Sequence, residues 1–185
     1  MENMGKKLSE MTLEELWKLF PIILAPHDDR WAELYAEEMT ALKNMLPDGT
    51  IINHIGSTAV KNIWAKPIVD ILVEVNDNLP TIATTLQNNG WTKMSDGETR
   101  MSFNKGYTEK GFAEKVYHLH LRKVGDNDEV FFRDYLNTHP EIAKEYELLK
   151  LGLWKKFEQD RDGYTKAKSE FVGKYTALAK QKSIS

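Results

Sequence analysis

One stretch constrains this chain more than any other: residues 67–75, PIVDILVEV. A run built mainly of Val and Ile is the pattern of a strand buried on both faces in the middle of a sheet. Asp70 interrupts it. A carboxylate there is costly unless it is paired, hydrogen-bonded or bound to a metal. Strand alternation sets Asp70, Leu72 and Glu74 on one face. Two carboxylates two strand positions apart could share a Mg2+ ion. On spacing alone an equal reading is that Glu74 marks an exposed strand end and Asp70 caps a local turn.

Residues 50–55 also read as a strand, and Gly56, Ser57 and Thr58 follow it. Such a turn offers free backbone N–H groups and two hydroxyls, which suit a phosphate or a ribose. These three are candidate ligand-binding residues. His118 and His120 share one face of a strand over 115–122. They could ligate a metal with Asp70, contact a phosphate, or supply a general base, with His120 the candidate catalytic histidine. Two strand histidines are more often surface or packing residues. His54 would lie near the same rim. Lys66, Arg100 and Arg122 stand in or beside strands and are candidate phosphate clamps, Arg through its bidentate fork. For any one of them a solvated strand end is the commoner case.

The rest of the pattern is mixed. Thr12 and Glu15 make a capping box for a helix over 13–19, which stops before Pro21. Residues 22–24 are a short strand candidate. Asp28 or Asp29 caps a helix to about Leu46, on the spacing of Trp31, Leu34, Tyr35, Glu38 and Leu42. Asn78 or Thr81 opens a helix that Gly90 closes. Strands are expected over 91–94, 100–105 and 115–122, then helices over 128–138, 141–157 and 164–181. This predicts one α+β domain: an N-terminal helical extension (1–20), a sheet core (21–125) and C-terminal helices (126–185).

Composition removes alternatives. The 185 residues include no cysteine, which excludes disulfides, thiol nucleophiles and Cys-type metal sites. The net charge of −3 gives no global bias toward nucleic acid or membrane. Residues 150–185 do carry nine basic groups against four acidic. Nucleic acid could meet that basic C-terminal helix, although a solvated lysine face over a buried Phe and Tyr stripe is the commoner reading. The first residues lack the apolar run of a secretory signal, and no apolar stretch is long enough to span a bilayer. The expected location is cytoplasmic, as monomer or homodimer. No GxGxxG, P-loop or GxSxG occurs. HIGS and Lys93-Met94-Ser95 only mimic the signatures of class I aminoacyl-tRNA synthetases, which need a parallel nucleotide-binding domain and a longer chain.

Five blocks then come together in order: HIGSTAV, AKPIVDILVEV, YHLHL, FFRDYLNTHPEIAKEYELLK and YTKAKSEFV. From about Ile22 to about Val172 the chain resembles the GrpB family. That family is similar to the nucleotidyltransferase superfamily, whose pattern is a Gly-Ser turn followed by a strand with two spaced carboxylates. The resemblance implies a nucleotidyltransferase-like mixed β-sheet flanked by helices. It implies a nucleoside triphosphate at Gly56 and Ser57. It also implies Mg2+ held by Asp70 and a second carboxylate, steadying pyrophosphate as it leaves. The second carboxylate belongs at position 72, where this chain has Leu72. Glu74 could substitute, about 7 Å further along the strand. The Pro-Gly that most GrpB-like chains carry after the turn is Lys61-Asn62 here. Lys168 matches the family's Tyr-x-x-x-Lys block.

The expectation is therefore a GrpB-like protein that binds a nucleotide or phosphorylated small molecule and, with Mg2+, transfers a nucleotidyl group. Asp70, Glu74 and His120 would be catalytic. The alternatives are a binding module that lost transfer, and a metal-dependent hydrolase built on His118, His120 and Asp70.

Overall fold

The computed structural model describes residues 6–76 and 78–183; residues 1–5 of the expected N-terminal extension lie outside them. Helix α1 (Leu13–Leu19) opens on the foreseen capping box. The Glu15 N–H donates to Thr12 Oγ1 at 3.2 Å and the Thr12 N–H to Glu15 Oε2 at 2.6 Å. Helix α2 (Arg30–Met45) follows. Next come β1 (Ile51–Ile55) and β2 (Val69–Val75), then α3 (Leu79–Asn88) with Asn78 as its side-chain cap. Strands β3 (Thr92–Asp96), β4 (Arg100–Thr108) and β5 (Gly111–Lys123) form a meander. Helices α4 (Asp128–Thr138), α5 (Pro140–Trp154) and α6 (Arg161–Ser183) end the described chain.

The five strands make one mixed sheet in the order β1-β2-β5-β4-β3. β2 is interior, antiparallel to β1 and parallel to β5. The other neighbours pair antiparallel. The α+β class and the mixed sheet with flanking helices are as the sequence leads one to expect. Val69, Ile71, Val73, Leu119, Leu121 and Phe103 bury one face against Trp31 and Leu42 of α2 and Ile82 and Leu86 of α3. Each fully buried aliphatic there contributes about 1.5–3 kcal/mol.

The opposite face is polar. Asp70, Leu72 and Glu74 stand beside His118, His120 and Arg122, which stand beside Asn104, Ser102 and Arg100. Helices α4 to α6 lie on this side. Two smaller apolar clusters seat them: Val60, Ile63, Leu136, Ala143 and Tyr146 in one, Ile22, Leu24 and Tyr164 in the other. The face is thus roofed without being filled.

Residues 22–24 are not a strand. Only a single bridge, Ala25 to Ala65, forms there. Ile22 is tied to the C-terminal helices: its N–H donates to the Glu158 carbonyl at 2.9 Å and its own carbonyl accepts from Trp154 Nε1 at 2.6 Å. β4 and β5 outrun their expected ends because a bulge between Lys105 and Tyr107 lets pairing resume. Among the described residues no helix is long and apolar enough to cross a membrane.

Candidate functional site

The turn after β1 is shaped around Asp70. Gly56 has φ +73°, a conformation that glycine adopts freely. A Cβ there would lie 2.6 Å from Asp70 Oδ2, so only glycine lets the carboxylate rest against the turn. Ser57–Ala59 form a short 3-10 helix. Asn62 takes φ 60°, and asparagine is among the residues that tolerate that region. His54 Nε2 and Thr58 Oγ1 share a hydrogen bond of 2.9 Å, and His54 stacks on Tyr35. Burial, with the nearby Arg133 charge, holds His54 down at about 4. His54 therefore works as a neutral brace, and Thr58, which is buried, gives its hydroxyl to that brace.

Asp70 pairs in register with His118 of the parallel strand, and Leu72 with His120. Asp70 Oδ1 lies 3.5 Å from His118 Nδ1 and 3.3 Å from His120 Nε2. Asp70 thus caps no turn. Burial alone would raise its pKa, but hydrogen bonds and charge from the two imidazoles outweigh that and hold the carboxyl well below its usual range. His118 is pushed down, first by burial, with Asp70 opposing.

Around this centre opens a cleft with two lobes, of about 660 Å³ and about 360 Å³. Gly56, Ser57, Asp70, His120, Tyr146 and Lys168 border both. The larger lobe continues between α4 and α6 along Phe132, Leu136 and Val172. The smaller one is walled by Lys66, Lys150, Lys168 and Arg161. Lys66 and Lys168 stand over the Tyr164 ring at 5.1 and 4.3 Å from its centroid. Lys150 donates to the Trp64 carbonyl and Arg161 to Tyr107 Oη. Among the described residues none of these four cations is in an ion pair. Burial and mutual repulsion lower Lys66 and Lys150 to about 7 and Lys168, through burial, to about 8. The Tyr164 hydroxyl is fully buried and has no hydrogen-bond partner among the described residues. Lys150, Arg161, Tyr107 and Tyr146 left no trace in the sequence patterns, because no spacing links them to Asp70. Lys66, read as a phosphate clamp, and the Tyr164 and Lys168 pairing on one helical face were the pointers to this wall.

Three expected site residues lie elsewhere. Glu74 is on the anticipated face but 1% exposed. Its carboxylate accepts the Gly125 N–H at 3.0 Å and the Asn127 amide at 3.1 Å. Two residues beyond Leu72 the strand has passed the cleft, and the link from β5 to α4 folds over the side chain. Arg122 faces Glu129 at 3.6 Å and Asp126 at 3.8 Å. Arg100 grips Asp126 with two hydrogen bonds of 2.7 and 2.6 Å. Both arginines belong to this ion network and not to the cleft. The basic α6 is also partly self-engaged: Lys180 pairs with Asp128 and Lys182 with His139.

The donors beside Asp70 are two imidazoles, and Leu72 offers only methyl groups, which donate nothing. Mg2+ demands oxygen ligands in octahedral array, and Asp70 alone supplies one. Among the described residues no group of three or more His, Asp or Glu side chains is arranged to hold a metal ion. The paired-Mg2+ arrangement that the family resemblance implies does not fit these residues.

The mixed sheet with helices packed on it makes an α+β domain, with the glycine turn and the Asp-His centre on its polar face. The family model described as GrpB protein matches residues 21–178, and the chain belongs to that family. The glutamate-rich protein GrpB of Alkalihalophilus pseudofirmus is 36% identical over 82% of this chain and 91% of its own length. The UPF0157 protein YqkA of Bacillus subtilis is 32% identical over 90% of this chain, which spans about half of that relative's length. The crystal structure of conserved protein GrpB from Enterococcus faecalis aligns at a TM-score of 0.76 and 28% identity, over 88% of this chain and 100% of that one. The Cid1 poly(U) polymerase aligns over 75% of this chain and 44% of its own at a TM-score of 0.49 and 13% identity, too slight a likeness to carry a mechanism.

Proposed function

We propose that the cleft binds a nucleotide or another phosphorylated small molecule. Its phosphates face Lys66, Lys150, Lys168 and Arg161, and the remainder of the ligand lies in the larger lobe between α4 and α6. The carrying observation is four cations, none of them ion-paired among the described residues, on the wall of a lobe whose carboxylates are Asp70 and Asp162. Charge brought out of water without a partner is unfavourable. A polyanion supplies the missing partner and restores the lysines toward their ordinary values. Ser57 beside Gly56 and the Nδ1 edge of His120 add hydrogen-bonding groups.

Nucleotidyl transfer is the finer reading that the family resemblance suggests. With one carboxylate beside the turn, the residues favour binding over two-metal transfer. Calorimetric titration with nucleoside triphosphates and with inorganic pyrophosphate tests this, with and without Mg2+. Binding without Mg2+ is expected, weakened at least tenfold (about 1.4 kcal/mol) by Lys168→Met, with no pyrophosphate released from a bound triphosphate. If no phosphorylated compound binds, or if Lys168→Met binds as well as wild type, the proposal fails.

A further inference from the structure

The two imidazoles at Asp70 differ in what stands behind them. His118 Nε2 is 2.6 Å from Tyr107 Oη. Arg161 Nη2 donates to the same Oη at 3.0 Å. A guanidinium has no acceptor, so the phenol oxygen must accept from it. The phenol proton then has one partner in reach, His118 Nε2. A neutral imidazole that accepts at Nε2 carries its proton on Nδ1, the atom 3.5 Å from Asp70 Oδ1. The reverse assignment leaves the phenol proton without an acceptor and sets an Nδ1 lone pair against a carboxylate.

The phenol is also held in place. Its ring lies between Phe20 and Phe112, at 4.7 and 5.2 Å between centroids. Arg161 covers its face at 5.6 Å. Burial keeps His118 on the neutral side. His120 has no such backing. Its Nε2 faces Asp70, and among the described residues no group hydrogen-bonds its Nδ1. Its ring borders both lobes of the cleft.

We propose that Tyr107 and Arg161 are positioning residues that lock His118 as an Nδ1–H donor to Asp70. His120 is thereby left as the one imidazole beside Asp70 with a nitrogen free to accept a hydrogen bond from a ligand. The tautomer lock stands on geometry alone; the role given to His120 rests on the ligand-binding reading above.

Long-range 1H–15N spectra of the full 15N-labelled chain near pH 7.5 test the lock directly, with His118→Ala and His120→Ala giving the assignments. His118 should be a single Nδ1–H tautomer and His120 an Nε2–H tautomer. Tyr107→Phe keeps the ring packing and removes only the O–H, so His118 should become a mixture. An Nε2–H His118 in wild type, or an unchanged His118 in Tyr107→Phe, overturns the proposal. Diethylpyrocarbonate labelling read by mass spectrometry gives a second measure. His120 should label and His118 should be protected, with at least a fivefold rise at His118 in Tyr107→Phe and in Arg161→Met. Equal labelling of the two histidines in wild type overturns it equally. Neither readout uses a ligand, so failure to bind any nucleotide would sink the proposed function and leave the lock standing.

Discussion

Asp70 and Glu74 stand on the same face of β2, each in register with a basic residue of β5, His118 for one and Arg122 for the other. Glu74 is closed over: it accepts from Gly125 and Asn127, and around it Arg122, Arg100, Asp126 and Glu129 neutralise one another. Asp70 lies open to a cleft, and among the described residues the cations that share its space are in no ion pair. Charge of similar kind is self-contained at one end and left incomplete at the other. The first arrangement is what a fold needs for itself. The second is favourable only when something outside the chain completes it.

The sharpest way to break this comparison is to remove Glu74. Glu74→Ala strips the buried acceptor from the Gly125 N–H and the Asn127 amide and leaves the Arg122 end short of negative charge. Breaking such a network costs about 3–5 kcal/mol. Urea unfolding should show a loss of about 3 kcal/mol, while the fraction still folded binds pyrophosphate as wild type does. A loss below about 1 kcal/mol, or lost binding in the folded fraction, would mean that Glu74 serves the cleft after all.

That experiment also marks where sequence reasoning stopped. The strand, its polar face, Gly56 and the two histidines were legible because period and local turn chemistry determine them. Glu74 was placed on the right face and given the wrong task. Alternation says which way a side chain points, and it is silent on where along the strand the cleft ends. That boundary is drawn by the loop after β5, sixty residues short of the chain's end and without a periodic signal of its own. Lys150, Arg161 and Tyr107 went unforeseen for the same reason. They come from α5, α6 and β4, and only tertiary packing brings them to Asp70. The strand expected over 22–24 failed because apolar β-branched residues can be buried under helices as well as paired in a sheet.

A smaller effect should appear in the pH dependence of stability. Lys66 and Lys150 titrate at about 7 and Lys168 at about 8 in the folded chain, below the ordinary 10.5. Below pH 7 both folded and unfolded chains hold these protons, and the destabilisation is fully present. From pH 7 toward 9 the folded chain releases them while the unfolded chain keeps them. The unfolded state then binds more protons, so stability rises with pH, by at most about 1.4 kcal/mol per pH unit for each group. Saturating pyrophosphate should flatten the rise by returning the lysines toward 10.5. Denaturation midpoints between pH 6.5 and 9, with and without pyrophosphate, decide it. A flat profile without ligand would mean that the cations are already compensated, and the contrast between the two ends would lose its basis.

The smallest effect carries the clearest sign. Lys168→Met keeps the side-chain volume and removes a charge that has no ion-pair partner. At the Glu74 end any such removal destabilises; here the desolvation penalty goes with the charge. The ring of Tyr164 works the other way, since a cation 4.3 Å from its centroid is held by about 0.5–2 kcal/mol. Removing Lys168 also relieves Lys66, which shares the same ring and feels its charge. The two contributions nearly cancel, with relief of repulsion tipping the balance. Near pH 7 the variant should be as stable as wild type or firmer by about 0.5 kcal/mol, even as its affinity for pyrophosphate falls. Stability and binding moving in opposite directions at one residue is the mark of a group kept for its ligand. A variant that loses more than about 1 kcal/mol would place Lys168 among the residues that hold the fold.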